Sequence, residues 1–170
     1  MQTIWILGDQ LSLEHSALAQ SHPRESRVLM IESKARGSAL RYHQLKLVLV
    51  YSAMRHFARD LRARGWEVDY QLIEGSGTFQ DGLRRHIEKH RPAKISLAEP
   101  NSFAETDAVQ KLGRNIGVPI ELVATKQFLL PRADFRKWAS GQRRLLMENH
   151  YRHKRVGAKG GSVGAGSRGN

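Results

Sequence analysis

The sequence predicts an α/β fold: an open parallel sheet of about five strands with helices on both faces. Three observations carry this. Apolar, β-rich runs recur along the first three quarters of the chain, segments with helical spacing lie between them, and glycine or proline stands where one gives way to the other. Strands that alternate with helices pair in parallel through right-handed crossovers, which makes the sheet Rossmann-like.

Taken in order, the strands fall at residues 3–7, 27–31, 68–73, 94–98 and 119–123. The first, in TIWILGDQLS, passes abruptly from Ile4–Leu7 to Gly8, Asp9 and Gln10. The longest helix follows the second strand. Its stripe of Leu47, Val50, Met54, Phe57, Ala58 and Leu61 keeps one apolar face, turns Arg55, Arg59 and Arg62 to water, and stops at Gly65. Two more helices are expected at 79–90, stopped before Pro92, and at 105–116, stopped by Gly117.

Composition narrows the classes of function. The 170 residues are 40% hydrophobic, enough for one ordinary core. No apolar run approaches the ~20 residues of a membrane span, and the start MQTIWILGDQ does not read as a secretory leader, so a cytoplasmic location is expected. Zero cysteines exclude disulfides, thiol chemistry and thiolate ligation of an iron–sulfur cluster by this chain. The net charge of +12 favours a polyanionic partner, nucleic acid first.

The organisation reads as three parts: an α/β domain over residues 1–130, a basic helical connector over 131–155 and a disordered tail over 156–170. The connector, PRADFRKWASGQRRLLMENHYRHKR, sets Phe135, Trp138 and Tyr151 among Lys and Arg, which suits phosphate backbone contact or packing against a further domain. The tail holds six glycines in fifteen positions.

In a parallel sheet, ligands sit beyond the carboxyl ends of the strands. Gly8, Asp9 and Gln10 end the first strand there, Glu32 and Ser33 end the second, and His43 and Lys46 share a face at the start of the long helix. Two readings stay open. Asp9, Glu32, His43 and Lys46 converge on a site whose mixed donors and acceptors suit a planar heterocycle with a polyol tail. Alternatively, Asp9 and Gln10 cap the next helix, Glu32 pairs with Lys46 at the surface and His43 is solvated.

Other patterns read as structural. His86 and His90 stand at the i, i+4 spacing of metal ligands, but no third ligand is near in sequence, so a solvated basic face is expected and no metal. His56 lies beside the apolar stripe and is expected to be partly buried. EGSGTF, residues 74–79, lacks the lysine of a phosphate-binding loop and reads as an ordinary loop. No nucleophilic triad stands out, and no catalytic residue is expected.

The stretches ILGDQLS, VLMIES, YHQLKLVLVYSAMRHFARDLRARGWEVDY and FLLPRADFRKWASGQRRLLMENHYR closely resemble the amino-terminal domain of the photolyase-related proteins, the bacterial iron–sulfur branch of the cryptochrome/photolyase family, over residues 3–155. The resemblance implies an antenna-chromophore domain, with a ribityl-lumazine in a pocket lined by Gly8, Asp9, Gln10, Glu32, His43 and Lys46. It also implies a separate helical domain that carries FAD, an iron–sulfur cluster and the DNA lesion pocket, and that performs light-driven repair of pyrimidine photoproducts, typically of the (6-4) type. Those groups are not expected on this chain. The resemblance ends near Arg155, so the chain reads as a fragment, cut by a frameshift or premature stop, that at most binds the antenna. Asn149 and His150 stand where relatives usually place aromatics. The alternatives are a basic module binding nucleic acid weakly and without sequence preference, or a nonfunctional fragment.

Overall fold

The computed structural model describes residues 1–158 apart from Ser76 and Leu129. It divides the chain into two compact units, Met1–Phe128 and Leu129–Asn170. The first unit is built on strands β1 (Gln2–Trp5), β2 (Ser26–Ile31), β3 (Glu67–Gln71), β4 (Ile95–Ala98) and β5 (Ile120–Val123). They form one sheet in the order β3-β2-β1-β4-β5, and every pairing is parallel. Ile4 of β1 stands opposite Val28 on one side and Ser96 on the other. Helices α1 (Ser16–Ala19), α2 (Lys34–Ser38), α3 (Gln44–Ala63), α4 (Phe79–His90) and α5 (Phe103–Ile116) complete the unit. The expected α/β class and its five parallel strands are therefore observed.

Side chains alternate across a strand, so each central strand feeds two cores. On one face Ile4, Ile6, Val28 and Met30 pack against Met54, Phe57, Ala58 and Leu61 of α3, with Ala17 and Leu18 of α1. On the other, Trp5, Leu7, Leu29, Ile31, Ile95 and Leu97 meet Leu83 of α4 and Val109 of α5. The stripe read on the long helix is thus its buried face from Met54 onward. Thr78 opens α4 with a capping box closed by Asp81, and Ser102 caps α5 by accepting from the Glu105 amide. Gly65 and Gly117 follow α3 and α5 with φ of 84° and 71°. These lie in the left-handed region that glycine enters without a Cβ penalty. Gly117→Ala is accordingly expected to lower the unfolding free energy by about 1 kcal/mol in urea titrations.

Several expectations change. The short helices α1 and α2 carry too few residues to show a period. Arg55 does not simply face water: its guanidinium holds Glu32. His56 is exposed, because its position falls off the buried stripe. His86 is no part of a solvated face; it is fully buried, bonded to Thr3 and Asp69. Of the 74–79 stretch, Glu74 and Gly75 belong to a 3-10 turn over Ile73–Gly75, and Ser76 lies outside the described residues.

In the second unit, α6 (Arg132–Ser140) and α7 (Met147–Ala158) supply the basic helices expected over 131–155. Phe135, Trp138 and His150 cluster with ring centroids 4.6–5.7 Å apart, so His150 fills a place an aromatic ring would take. The disorder expected from 156 is corrected for 156–158, which close α7; residues 159–170 lie outside the described residues. Residues 129–158 hold eight Lys and Arg against two acids, whereas 1–128 hold 18 against 14. No helix of the described residues is long and apolar enough to cross a membrane.

Candidate functional site

Beyond the carboxyl ends of β1 and β2 lies a cavity of about 480 Å³. Its walls are mostly apolar: Trp5, Leu7 and Ile31 from the strands and their extensions, Val50 and Met54 from α3, Phe79 at the start of α4. Polar groups converge on it from four places. Asp9 follows β1, Ser33 and Arg36 belong to the start of α2, Tyr42, Lys46 and Tyr51 come from α3 and the turn before it, and Glu105 comes from α5.

Local sequence explains how these side chains are held. Ser33 caps α2 by accepting from the Arg36 amide at 3.2 Å. Gly37 leaves room for Tyr51, since a Cβ there would stand 2.5 Å from its hydroxyl oxygen. That hydroxyl donates to the Ser33 carbonyl at 3.2 Å. Burial and then the nearby Glu32 carboxylate push the Tyr51 phenol above its ordinary range, so it remains a donor at neutral pH. Arg36 of α2 is paired with Glu105 of α5, two lining residues from different helices. Lys46 projects its ammonium 4.4 Å from the centroid of the Tyr42 ring, a cation–π contact at an exposed position.

The six residues named from sequence separate into three roles. Gly8, Asp9 and Lys46 line the cavity. The Asp9 carboxylate accepts from the Asn101 amide at 2.8 Å, and its carbonyl accepts from Gln127 at 2.8 Å. Gln10 is buried and ties the end of β1 to the end of β4, donating to the carbonyls of Ala98 at 3.0 Å and Glu99 at 3.2 Å. Its oxygen stands 3.5 Å from buried His15, whose pKa burial lowers to about 4 and which is therefore neutral.

Glu32 is fully buried and outside the lining. It accepts from Arg55 Nε at 2.7 Å and Nη2 at 2.9 Å, from the Tyr70 hydroxyl at 2.5 Å and from the Ile73 amide at 3.1 Å. Burial pushes its carboxyl up, but Arg55, Tyr70 and the Ile73 N–H together outweigh that and hold it below the ordinary glutamate range. Burial and the bond to Glu32 push Tyr70 up, so it stays a donor. His43 is exposed and caps α3, its Nδ1 accepting from the Leu45 amide at 3.2 Å.

Neither Glu32 nor the Asp9–Gln10 pair behaves as the bland alternative expected. Glu32 pairs with Arg55 rather than Lys46, and α1 is preceded by His15 without a side-chain cap. The cavity residues missed from sequence are Arg36, Tyr42, Tyr51 and Glu105. Gly37, four residues after the capping Ser33, was a signal for a close approach in α2. Tyr51 sits four residues after Leu47 on the edge of the apolar stripe, where an aromatic reads as core.

Apolar walls, aromatic rings from three elements and a few charged or hydroxyl groups give a cavity the size and chemistry of a small-molecule site. The donor set suits a flat heteroaromatic ring with hydroxyls. Carbonyl and ring nitrogen acceptors would face Lys46, Arg36 and Tyr42, and hydroxyl donors would face Asp9 and Glu105.

A family model of deoxyribodipyrimidine photo-lyase-related proteins matches residues 4–158. A (6-4) photolyase of Agrobacterium fabrum is 32% identical over 157 residues, a stretch covering 91% of this chain and 31% of the relative. The chain therefore spans about a third of the length of that curated relative.

Proposed function

The chain belongs to the deoxyribodipyrimidine photo-lyase-related protein family, and on that premise we propose that its first unit is an antenna domain whose cavity holds a ribityl-lumazine. The observation that carries this is the apolar-walled cavity of about 480 Å³ at the strand ends, with hydrogen-bonding groups gathered at Asp9, Ser33, Arg36 and Lys46. When bound, such a chromophore absorbs light and passes excitation to a flavin. The residues of this chain would bind, orient and shield it: Trp5, Phe79 and Met54 exclude water from the ring, Lys46 and Arg36 donate to its acceptors, and Asp9 accepts from its hydroxyls. Glu32 acts at one remove, holding the ends of β2 and β3 to the middle of α3 behind the cavity.

Light-driven repair of a (6-4) pyrimidine photoproduct in DNA, the activity printed in the relative's name, is on this reading an activity of the full-length protein. It needs FAD and an iron–sulfur cluster held elsewhere, since this chain has no cysteine to ligate a cluster. DNA is then the partner of the full-length protein. The excess of Lys and Arg in residues 129–158 is the part of this chain best suited to phosphate contact.

Titration with dimethyl-ribityllumazine, followed by ligand fluorescence, tests the antenna reading. Ala108, on α5, lines the cavity at an exposed position, so Ala108→Trp fills the cavity with little demand on the core. Wild-type protein is expected to bind saturably, and the variant to bind more than about tenfold more weakly, a loss of ~1.4 kcal/mol or more. Saturable binding that Ala108→Trp leaves unchanged, or no binding by a protein with an α/β circular dichroism spectrum, sinks the proposal.

A further inference from the structure

The histidine pair on α4 acquires a third donor in the folded chain. Asp69 of β3, His86 and His90 each bring one ligand atom into a group whose members lie within 4.8 Å of one another. We propose that these three residues form a binding site for a divalent transition-metal ion of the zinc or cobalt class, clipping β3 to the last two turns of α4.

The donor set suits such an ion. Two imidazoles and one carboxylate, with a position left for water, are a frequent ligand set for borderline cations. His86 Nδ1 stands 2.6 Å and His90 Nε2 3.4 Å from Asp69 Oδ2. Ligand atoms bound at about 2.0–2.1 Å in a tetrahedral shell lie roughly 3.3 Å apart, so Asp69 must open slightly from His86 while the two imidazoles, whose ligand atoms lie within 4.8 Å, draw together around the ion. Asp69 and His90 keep side-chain exposures of 15% and 14%, which gives an ion a way in, whereas His86 at 0% fixes the inner wall.

Proton placement supplies the second argument. The other nitrogen of His86, Nε2, lies 2.7 Å from the Thr3 hydroxyl, and a threonine oxygen there can accept the N–H of a metal-bound imidazole. His90 is less settled. Arg27 can only donate, and its Nη1 lies 2.6 Å from His90 Nδ1. The proton of neutral His90 therefore sits on Nε2, which is buried and, among the described residues, has no partner of hydrogen-bond geometry. An ion would take the place of that proton. Both imidazoles then shift tautomer, His86 to Nε2–H and His90 to Nδ1–H, with no net proton lost. Arg27 must release His90 in exchange, and it retains Glu67, with which it is already paired. The guanidinium is thus the group that opposes the ion.

Titration of the full chain with Co²⁺, followed by its ligand-field absorption, tests the site. Saturable binding of one ion per chain is expected, weakened at least about tenfold in Asp69→Asn and in His90→Ala, and unchanged in His22→Ala and His56→Ala, whose histidines are exposed elsewhere. Arg27→Gln, whose amide oxygen can accept from Nδ1–H, is expected to tighten binding by about tenfold. It also keeps the inference testable should either ligand variant fail to fold. Absence of a saturable band in the wild type, a band that survives Asp69→Asn and His90→Ala, or weaker binding in Arg27→Gln overturns the proposal.

Discussion

Arg55→Met is expected to lower the melting temperature of the first unit by about 10 °C at neutral pH, a loss of ~3 kcal/mol. The variant keeps most of the side-chain stem and removes the charge, leaving the Glu32 carboxylate fully buried with only the Tyr70 hydroxyl and the Ile73 amide. Stranding a buried charge costs more than losing a surface pair. The Arg55 side chain is 52% exposed, so water shares its solvation, and the lower end of the range for a broken buried pair applies.

The pH dependence has a definite sign. In the wild type the folded-state pKa of Glu32 is depressed, so its contribution is present above the unfolded value of about 4.3 and is lost as pH falls through the folded value. Removing Arg55 takes away the strongest of the groups that oppose burial. The folded-state pKa of Glu32 then rises, and the variant loses less, or gains, on acidification. Thermal melts followed by circular dichroism should show the gap between the two proteins narrowing below about pH 4.3. A gap that widens there would mean that Glu32 is not the ionised hub of this end of the sheet.

The same residue shows where sequence reading reaches its limit. The α/β class was legible because it rests on local signals: β-rich runs, an apolar stripe on α3 and glycines at helix ends. The carboxyl edge was legible as the place to look for a cavity, and Gly8, Asp9 and Lys46 do line the one found there. What was not legible is which way a polar side chain turns. An acid at the end of a strand reads the same whether it meets a ligand or an arginine of a neighbouring helix. Arg55 was assigned to water because its helical angle falls off the stripe, yet its guanidinium reaches back to Glu32. For the histidines the i, i+4 spacing was visible, but Asp69, seventeen residues upstream of His86 on β3, enters the group only through the fold.

Gly8→Val is expected to destabilise the first unit by about 2 kcal/mol in urea titrations and to abolish lumazine binding. The backbone at Gly8 does not have the left-handed φ of Gly65 or Gly117, so what glycine supplies there is space. An added Cβ would stand 3.0 Å from the Met54 sulfur and 3.2 Å from Val50 Cγ1, closer than carbon and sulfur pack comfortably. The end of β1 lies directly against α3, and the same two α3 side chains form the cavity wall. Alanine asks only for a small shift of a flexible thioether, so Gly8→Ala should cost under about 1 kcal/mol. Valine adds two branched carbons that the thioether cannot accommodate without moving Val50, α3 or the strand end. Stability and binding therefore fall together in Gly8→Val, whereas Ala108→Trp blocks the cavity from α5 and lowers binding alone. A Gly8→Val protein that is destabilised yet binds lumazine like the wild type would place the chromophore away from the strand-end cavity. The glycine would then be explained by the packing of β1 on α3 alone.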